Sequence, residues 1–270
     1  MELSQQPSEA SRRPRGLRLL AFGVSLALLA GAIVVVISHR SELTSTLEAI
    51  SHPAPLPVVV LLVSMVGSLA LTGLLFGLLT RRYGDVRWWR MQELIAASAL
   101  LNYLPLRVGM FSRIAWHHRV DRIPIIDSTK VVFQAMAVTG VVLLQIGITL
   151  GLWWWLGGSI VAWMLVPVTS IVLCVMTPNL RLIGLLTGIR LADYGLAVVR
   201  YGAAFSLIGV TLSMEATMLI AALAMAASMI PFFANGLGIR EWVVGMTVGV
   251  VSDLPAGIEL GIVADVVNRA

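Results

Sequence analysis

The sequence predicts an all-α fold, a polytopic integral membrane helical bundle in which two opposed re-entrant helical hairpins form an inverted repeat. Three observations carry this reading. Of 270 residues, 58% are hydrophobic and only 12% charged, about half the charged share of an average soluble domain, so an ordinary water-soluble surface is excluded. Uncharged apolar runs recur at the length of a bilayer crossing, roughly 20 residues. Two shorter apolar stretches are each broken by a Pro/Gly element that leads into an arginine. The net charge of +5, from 19 Lys and Arg against 14 Asp and Glu, fits the concentration of basic residues in cytoplasmic loops, and no nucleic-acid partner is expected. The single cysteine, Cys174, excludes a disulfide within the chain.

Residues 1–16 are polar, carry Arg12, Arg13 and Arg15, and read as a disordered cytoplasmic tail; residues 17–270 form one transmembrane domain. Leu19 to Ile37 is an uncleaved first span, too long for a signal-peptide core. Its far flank, His39 to Pro55, has one Arg against Glu42 and Glu48 and belongs outside. Leu56 to Leu79 returns, with Pro57 in the first turn where a missing N–H costs little. Arg81, Arg82, Arg87 and Arg90, with Trp88 and Trp89, then mark the inner surface. Met91 to Pro105 is too short to cross and has basic flanks on both sides, Arg107, Arg113, Arg119, Arg122 and Lys130 following it. A hairpin that enters from the cytoplasm, turns at Pro105 to Gly109 and returns avoids stranding those arginines outside.

Val131 to Trp155 crosses outward to the belt of Trp153, Trp154 and Trp155, and Ile160 to Met176 comes back. Arg181 and Arg190 lie in a cytoplasmic loop on this reading. Leu191 to Leu212 crosses outward again and carries Asp193 and Arg200 on one face, either as an ion pair or along a translocation path. Ala216 to Ile230 and Trp242 to Val251 flank a break from Pro231 to Glu241, a second hairpin entered from outside. Ala256 to Val267, with Glu259 and Asp265, is short for a span.

The two breaks superpose in sequence. Pro105, Gly109 and Arg113 recur with almost the same spacing as Pro231, Gly236 and Arg240, and each follows a segment rich in Ala, Leu and Ser. Opposed discontinuous helices of this kind meet near the bilayer midplane and build a binding site. Arg240 and Glu241 sit between apolar half-helices, where charges normally line a cavity, although neutralisation by each other or by other helices would also explain them. Gly236 and Gly238, beside Asn235, let backbone amides approach an anion at a half-helix N-terminus. Arg113 and Arg107 are the counterparts in the first hairpin, suited to bidentate phosphate binding. Asn102 and Glu93 read either as ligand contacts or as interhelical hydrogen bonds. His117 and His118, adjacent on a helix, make a poor metal pair, and no metal or cofactor is expected. No Walker loop, Asp-x-Asp or zinc-protease motif occurs, so no catalytic residue is assigned.

The segment Asn102-Tyr103-Leu104-Pro105-Leu106-Arg107-Val108-Gly109-Met110-Phe111-Ser112-Arg113 and the segment Asn235-Gly236-Leu237-Gly238-Ile239-Arg240-Glu241 resemble the lysylphosphatidylglycerol synthase transmembrane-region family, the flippase-like membrane domains. Met110 stands where that family carries an acidic residue. The resemblance implies a multi-pass inner-membrane protein, N-terminus cytoplasmic, that moves or presents an anionic phospholipid or polyprenyl-phosphate-linked lipid between leaflets. Lysyl transfer to lipid is not expected. Other readings are a non-catalytic membrane subunit that docks a glycosyltransferase or lipid-modifying enzyme, and an intramembrane enzyme using Glu241 with Asp265 or Glu259.

Overall fold

The computed structural model describes residues 15–38, 48, 51, 53–102, 108–157, 168, 171–172, 178–230, 236, 238–252, 254 and 256–269. Among them nine helices and no strand occur: α1 (Arg15–Ser38), α2 (Pro55–Thr80), α3 (Trp88–Leu101), α4 (Val108–Arg119), α5 (Ile125–Trp155), α6 (Pro178–Leu207), α7 (Met214–Met229), α8 (Ile239–Val251) and α9 (Gly257–Arg269). Three of them, α2, α5 and α6 from Arg181 onward, are long and apolar enough to cross a membrane. The exposed apolar side chains of α2 and α5, among them Leu62, Val66, Leu144 and Ile148, would be costly in water and suit contact with lipid.

Helix α2 matches the sequence reading at both ends, α5 at its C-terminal end, and α6 at neither, ending five residues before the expected Leu212. Helix α2 opens on Pro55 and Pro57, which need no amide partner in a first turn. Helix α5 starts behind Pro124, six positions before Val131, with Asp127 in its first turn bonded to Lys130 at 2.8 Å. Helix α6 departs from expectation. It begins at Pro178, so Arg181 and Arg190 stand on a helix and not in a loop. At about 1.5 Å per residue its 30 residues reach about 45 Å, longer than the ~30 Å hydrocarbon core. The helix ends near Leu207 because Gly209 takes φ 75°, and Val210 N–H closes on the Phe205 carbonyl. Ser213 then caps α7 by accepting from Ala216 N–H at 3.2 Å. The expected return span Ile160–Met176 lies outside the described residues.

The remaining helices are short. Helices α3 and α4 have 14 and 12 residues, about 21 and 18 Å, and neither reaches across a bilayer. They pack on each other closely: a Cβ on Gly109 would run into the Ser98 carbonyl oxygen and lie 2.7 Å from Asn102 Oδ1. Gln92 fastens α3 to α2 by donating to the Ala70 carbonyl at 3.2 Å. At the other end, α8 and α9 lie backbone to backbone through two Gly-x-x-x-Gly pairs, Gly245/Gly249 and Gly257/Gly261. A Cβ on Gly261 would sit 2.7 Å from Gly245 Cα, and one on Gly257 would sit 3.1 Å from Gly249 Cα. Small-xxx-small faces of this kind allow close helix contact where no hydrophobic force drives it.

Two buried apolar clusters hold the bundle. One joins α5, α6, α7, α8 and α9 around Tyr201, Phe205, Ile220 and Val248. The other joins α2, α3, α5 and α6 around Leu75, Met91 and Val132. Helix α1 leans on α8, where Trp242 Nε1 donates to the Leu28 carbonyl at 2.9 Å.

Candidate functional site

Between these clusters lies a cavity of about 340 Å³. Every helix from α2 to α8 contributes to its wall, and four arginines reach it from three helices: Arg113 from α4, Arg190 and Arg200 from α6, and Arg240 from α8. Among the described residues, Asp193 is the one carboxylate in the lining. Four guanidiniums in a low-dielectric wall repel one another, so the partners of each decide what the cavity can hold.

Arg190 is held by Asp193 on its own helix and by Thr139 on α5. Its Nη1 meets Asp193 Oδ2 at 2.7 Å and its Nε donates to Thr139 Oγ1 at 2.8 Å. Asp193 also accepts from the Ser68 hydroxyl of α2. Arg190 and Asp193 therefore neutralise each other three residues apart. The Asp193–Arg200 ion pair, one of the two sequence alternatives, is not the one formed, although both residues line the same cavity.

Arg240 is held by α9. Asp265, with no exposed surface, accepts from Arg240 Nε at 2.8 Å and from the Tyr201 hydroxyl at 2.5 Å. Arg269 extends the network, with Nε 3.3 Å from Asp265 Oδ2 and Nη1 3.3 Å from Glu241 Oε1. Two arginines face two carboxylates here, and the cluster is neutral as a unit. Such a cluster fixes geometry, because removing one member leaves an uncompensated buried charge.

The other two guanidiniums form no ion pair among the described residues. Arg113 is 8% exposed and its Cζ lies 3.7 Å above the Phe76 ring centroid, a cation–π contact. No carboxylate pairs with it among the described residues. Arg200 donates to a neutral amide, Asn268 Oδ1, at 2.6 Å.

The residues singled out from sequence divide into three groups. Asn102, Arg113 and Arg240 line the cavity, so described residues flanking both breaks reach one place. Asn102 also accepts from Met110 N–H at 3.1 Å and so caps the start of α4. Gly109, Gly236, Gly238 and Glu241 stand behind the wall. Gly109 permits the α3–α4 approach, Gly236 and Gly238 take φ 76° and 86° at the entry to α8, and Glu241 is turned to Arg269. Arg107 and Asn235 lie outside the described residues. Glu241 and Asp265 are brought together through Arg269, each in an ion pair. Glu93 is exposed on α3. His117 faces inward, its Nδ1 2.9 Å from Asp121, which also meets Arg90 at 3.3 Å. That set ties the end of α4 to the start of α3.

Arg190, expected in a loop, stands on α6, and Asp265, Asn268 and Arg269 hold buried charges in ways the sequence reading does not predict. The i, i+4 spacing of Asp265 and Arg269, and the two Gly-x-x-x-Gly pairs, are the sequence signals that point to them. Comparison with known protein families, curated proteins and solved structures finds no match to this chain.

Proposed function

We propose that the chain is a membrane lipid translocase that moves or presents an anionic phospholipid or polyprenyl-phosphate-linked lipid between leaflets, without catalysing a reaction on it. The carrying observation is the convergence of four arginines on one cavity with a single lining carboxylate among the described residues. A guanidinium binds phosphate bidentately, and a cationic cavity inside an apolar bundle favours an anion that also has an apolar part. The wall supplies the apolar surface through Met110, Met136, Met225 and Met229, side chains that repack easily.

In this reading α3–α4 and α7–α8 are re-entrant hairpins, entered from opposite sides and related as an inverted repeat. Their short helices support it, as does the presence of Arg113 and Arg240, one from each break, at the same cavity. The glycines at the breaks give the tips room to rearrange around a passing headgroup. The resemblance to the lysylphosphatidylglycerol synthase transmembrane-region family at the two arginine segments supports the same function, and with it a bacterial-type inner-membrane location with the N-terminus cytoplasmic.

The test is leaflet exchange of labelled phosphatidylglycerol, phosphatidate and polyprenyl phosphate in proteoliposomes containing only this chain. Arg113→Gln is the informative variant, because no described carboxylate is orphaned by it. The expected result is exchange by the parent and its loss in the variant at unchanged folding. Absence of exchange for every lipid by folded protein would replace this reading with a subunit that docks a lipid-modifying enzyme.

A further inference from the structure

Among the described residues the charges lining the cavity and their ion-pair partners do not cancel, and two positive charges remain. Arg190 is matched by Asp193. Arg240 and Arg269 are matched by Asp265 and Glu241. Arg113 rests on an aromatic ring and Arg200 on an amide oxygen, so two guanidiniums facing the cavity keep their charge. Burying an ion without an anion is costly, and the cost is offset when a ligand supplies the missing charge.

We infer that the cavity is built for a phosphate group bearing two negative charges, a phosphomonoester or pyrophosphate headgroup, in preference to the singly charged phosphodiester of common phospholipids. This rests on the translocase reading above and narrows its substrate class. A phosphodiester brings one charge and leaves one of the two arginines uncompensated. A phosphomonoester, with its second ionisation near pH 6, brings almost two at neutral pH and offers three acceptor oxygens. Arg113 on α4 and Arg200 on α6 come from separate parts of the bundle, so a ligand held by both bridges the first hairpin and the long helix. The volume agrees with a small head. About 340 Å³ lies at the lower end of ligand cavities, enough for a phosphate and the first part of one chain. The methionine-lined portion of the wall favours a lipid phosphate over free phosphate.

The experiment compares two lipids with the same short acyl chains, phosphatidate and phosphatidylglycerol, binding to the full chain in detergent at pH 8, with inorganic phosphate as a third probe. Leaflet exchange of both lipids is measured in parallel. The expected result is phosphatidate binding at least about tenfold tighter than phosphatidylglycerol, the effect of one additional charge-assisted contact, with inorganic phosphate far weaker than either. In Arg113→Gln and Arg200→Gln that preference falls to near parity, while Arg113→Lys, which keeps the charge, retains most of it. Equal affinity of the parent for the two lipids, with exchange intact, overturns the dianion inference and leaves the translocase reading standing. Inorganic phosphate competing as well as phosphatidate supports the dianion site and overturns its lipid origin. Neither binding nor exchange by folded parent protein overturns both.

Discussion

Asp265 is where the packing of α8 and α9 is most open to test. Its carboxylate is fully buried and serves Tyr201 at 2.5 Å, Arg240 at 2.7 Å and Arg269 at 3.3 Å. In Asp265→Asn the shape is kept and the charge removed, so Arg240 and Arg269 share only Glu241. Removing one partner of a buried ion pair costs about 3–5 kcal/mol. For a chain of this size each kcal/mol shifts the melting temperature by roughly 2–4 °C, so Tm should fall by roughly 6–20 °C. The readout is thermal unfolding followed by tryptophan fluorescence in detergent. The double variant Arg240→Gln/Asp265→Asn removes both charges and is expected to lose less than the sum of the single variants, because the penalty is an orphaned charge more than a lost attraction. A Tm within about 2 °C of the parent for Asp265→Asn, or strict additivity in the cycle, would refute the network as the clamp between α8, α6 and α9.

Gly261→Ala should destabilise by about 1–3 kcal/mol, since its Cβ would sit 2.7 Å from Gly245 Cα and 2.9 Å from the Val244 carbonyl; Gly140→Ala on α5, which meets nothing within 4 Å, should be neutral or stabilising by up to about 1 kcal/mol. Paired melting curves separate the two, and equal losses would discount the close α8–α9 contact. Gly109→Ala should disrupt the α3–α4 hairpin, where the Ser98 carbonyl blocks the new methyl, and should cost phosphatidate binding as well as Tm. Re-entry of both hairpins predicts that, in a Cys174→Ser background, cysteines placed at Asp85 and Val120 label from one side of sealed vesicles and those at Ser213 and Leu254 from the other. Labelling of Asp85→Cys and Val120→Cys from opposite sides would make α3–α4 a crossing.

What the sequence displayed was set by local rules. The apolar run from Leu56 to Leu79 became α2 almost residue for residue, because length and proline placement are visible without knowing any partner. The short helices beside the breaks were legible for the same reason, and Arg113 and Arg240, paired by their matched spacing, line one cavity. Helix α6 was cut short because Arg181 and Arg190 looked like loop charge. Arg190 is tolerated on the helix because Thr139, 51 positions away, and Asp193 take its hydrogens. No local pattern reports a partner at that separation. Glu241 was drawn toward the cavity by its neighbour Arg240, yet adjacent helical residues point about 100 degrees apart, and Glu241 turns to Arg269 instead. The Gly-x-x-x-Gly spacing of α8 and α9 is present in the sequence, but that the two pairs face each other is visible only in the fold.

The division between matched and unmatched arginines is what separates a packing role from a binding one. A guanidinium over an aromatic ring gains some attraction, about 1–2 kcal/mol when desolvated, which does not recover the hydration an arginine gives up on burial. If Arg113 served only to pack against Phe76, an apolar side chain of similar length would do it at lower cost. Arg113→Met therefore makes the two roles predict opposite things. A packing role gives a protein whose stability and phosphate binding are both little changed. A binding role gives a protein as stable as the parent or more so, because a buried charge has gone, and unable to bind phosphatidate. Gain of stability with loss of binding is the pattern of a site held at some expense to the fold, and Tm and affinity measured on the same preparation of Arg113→Met decide between them.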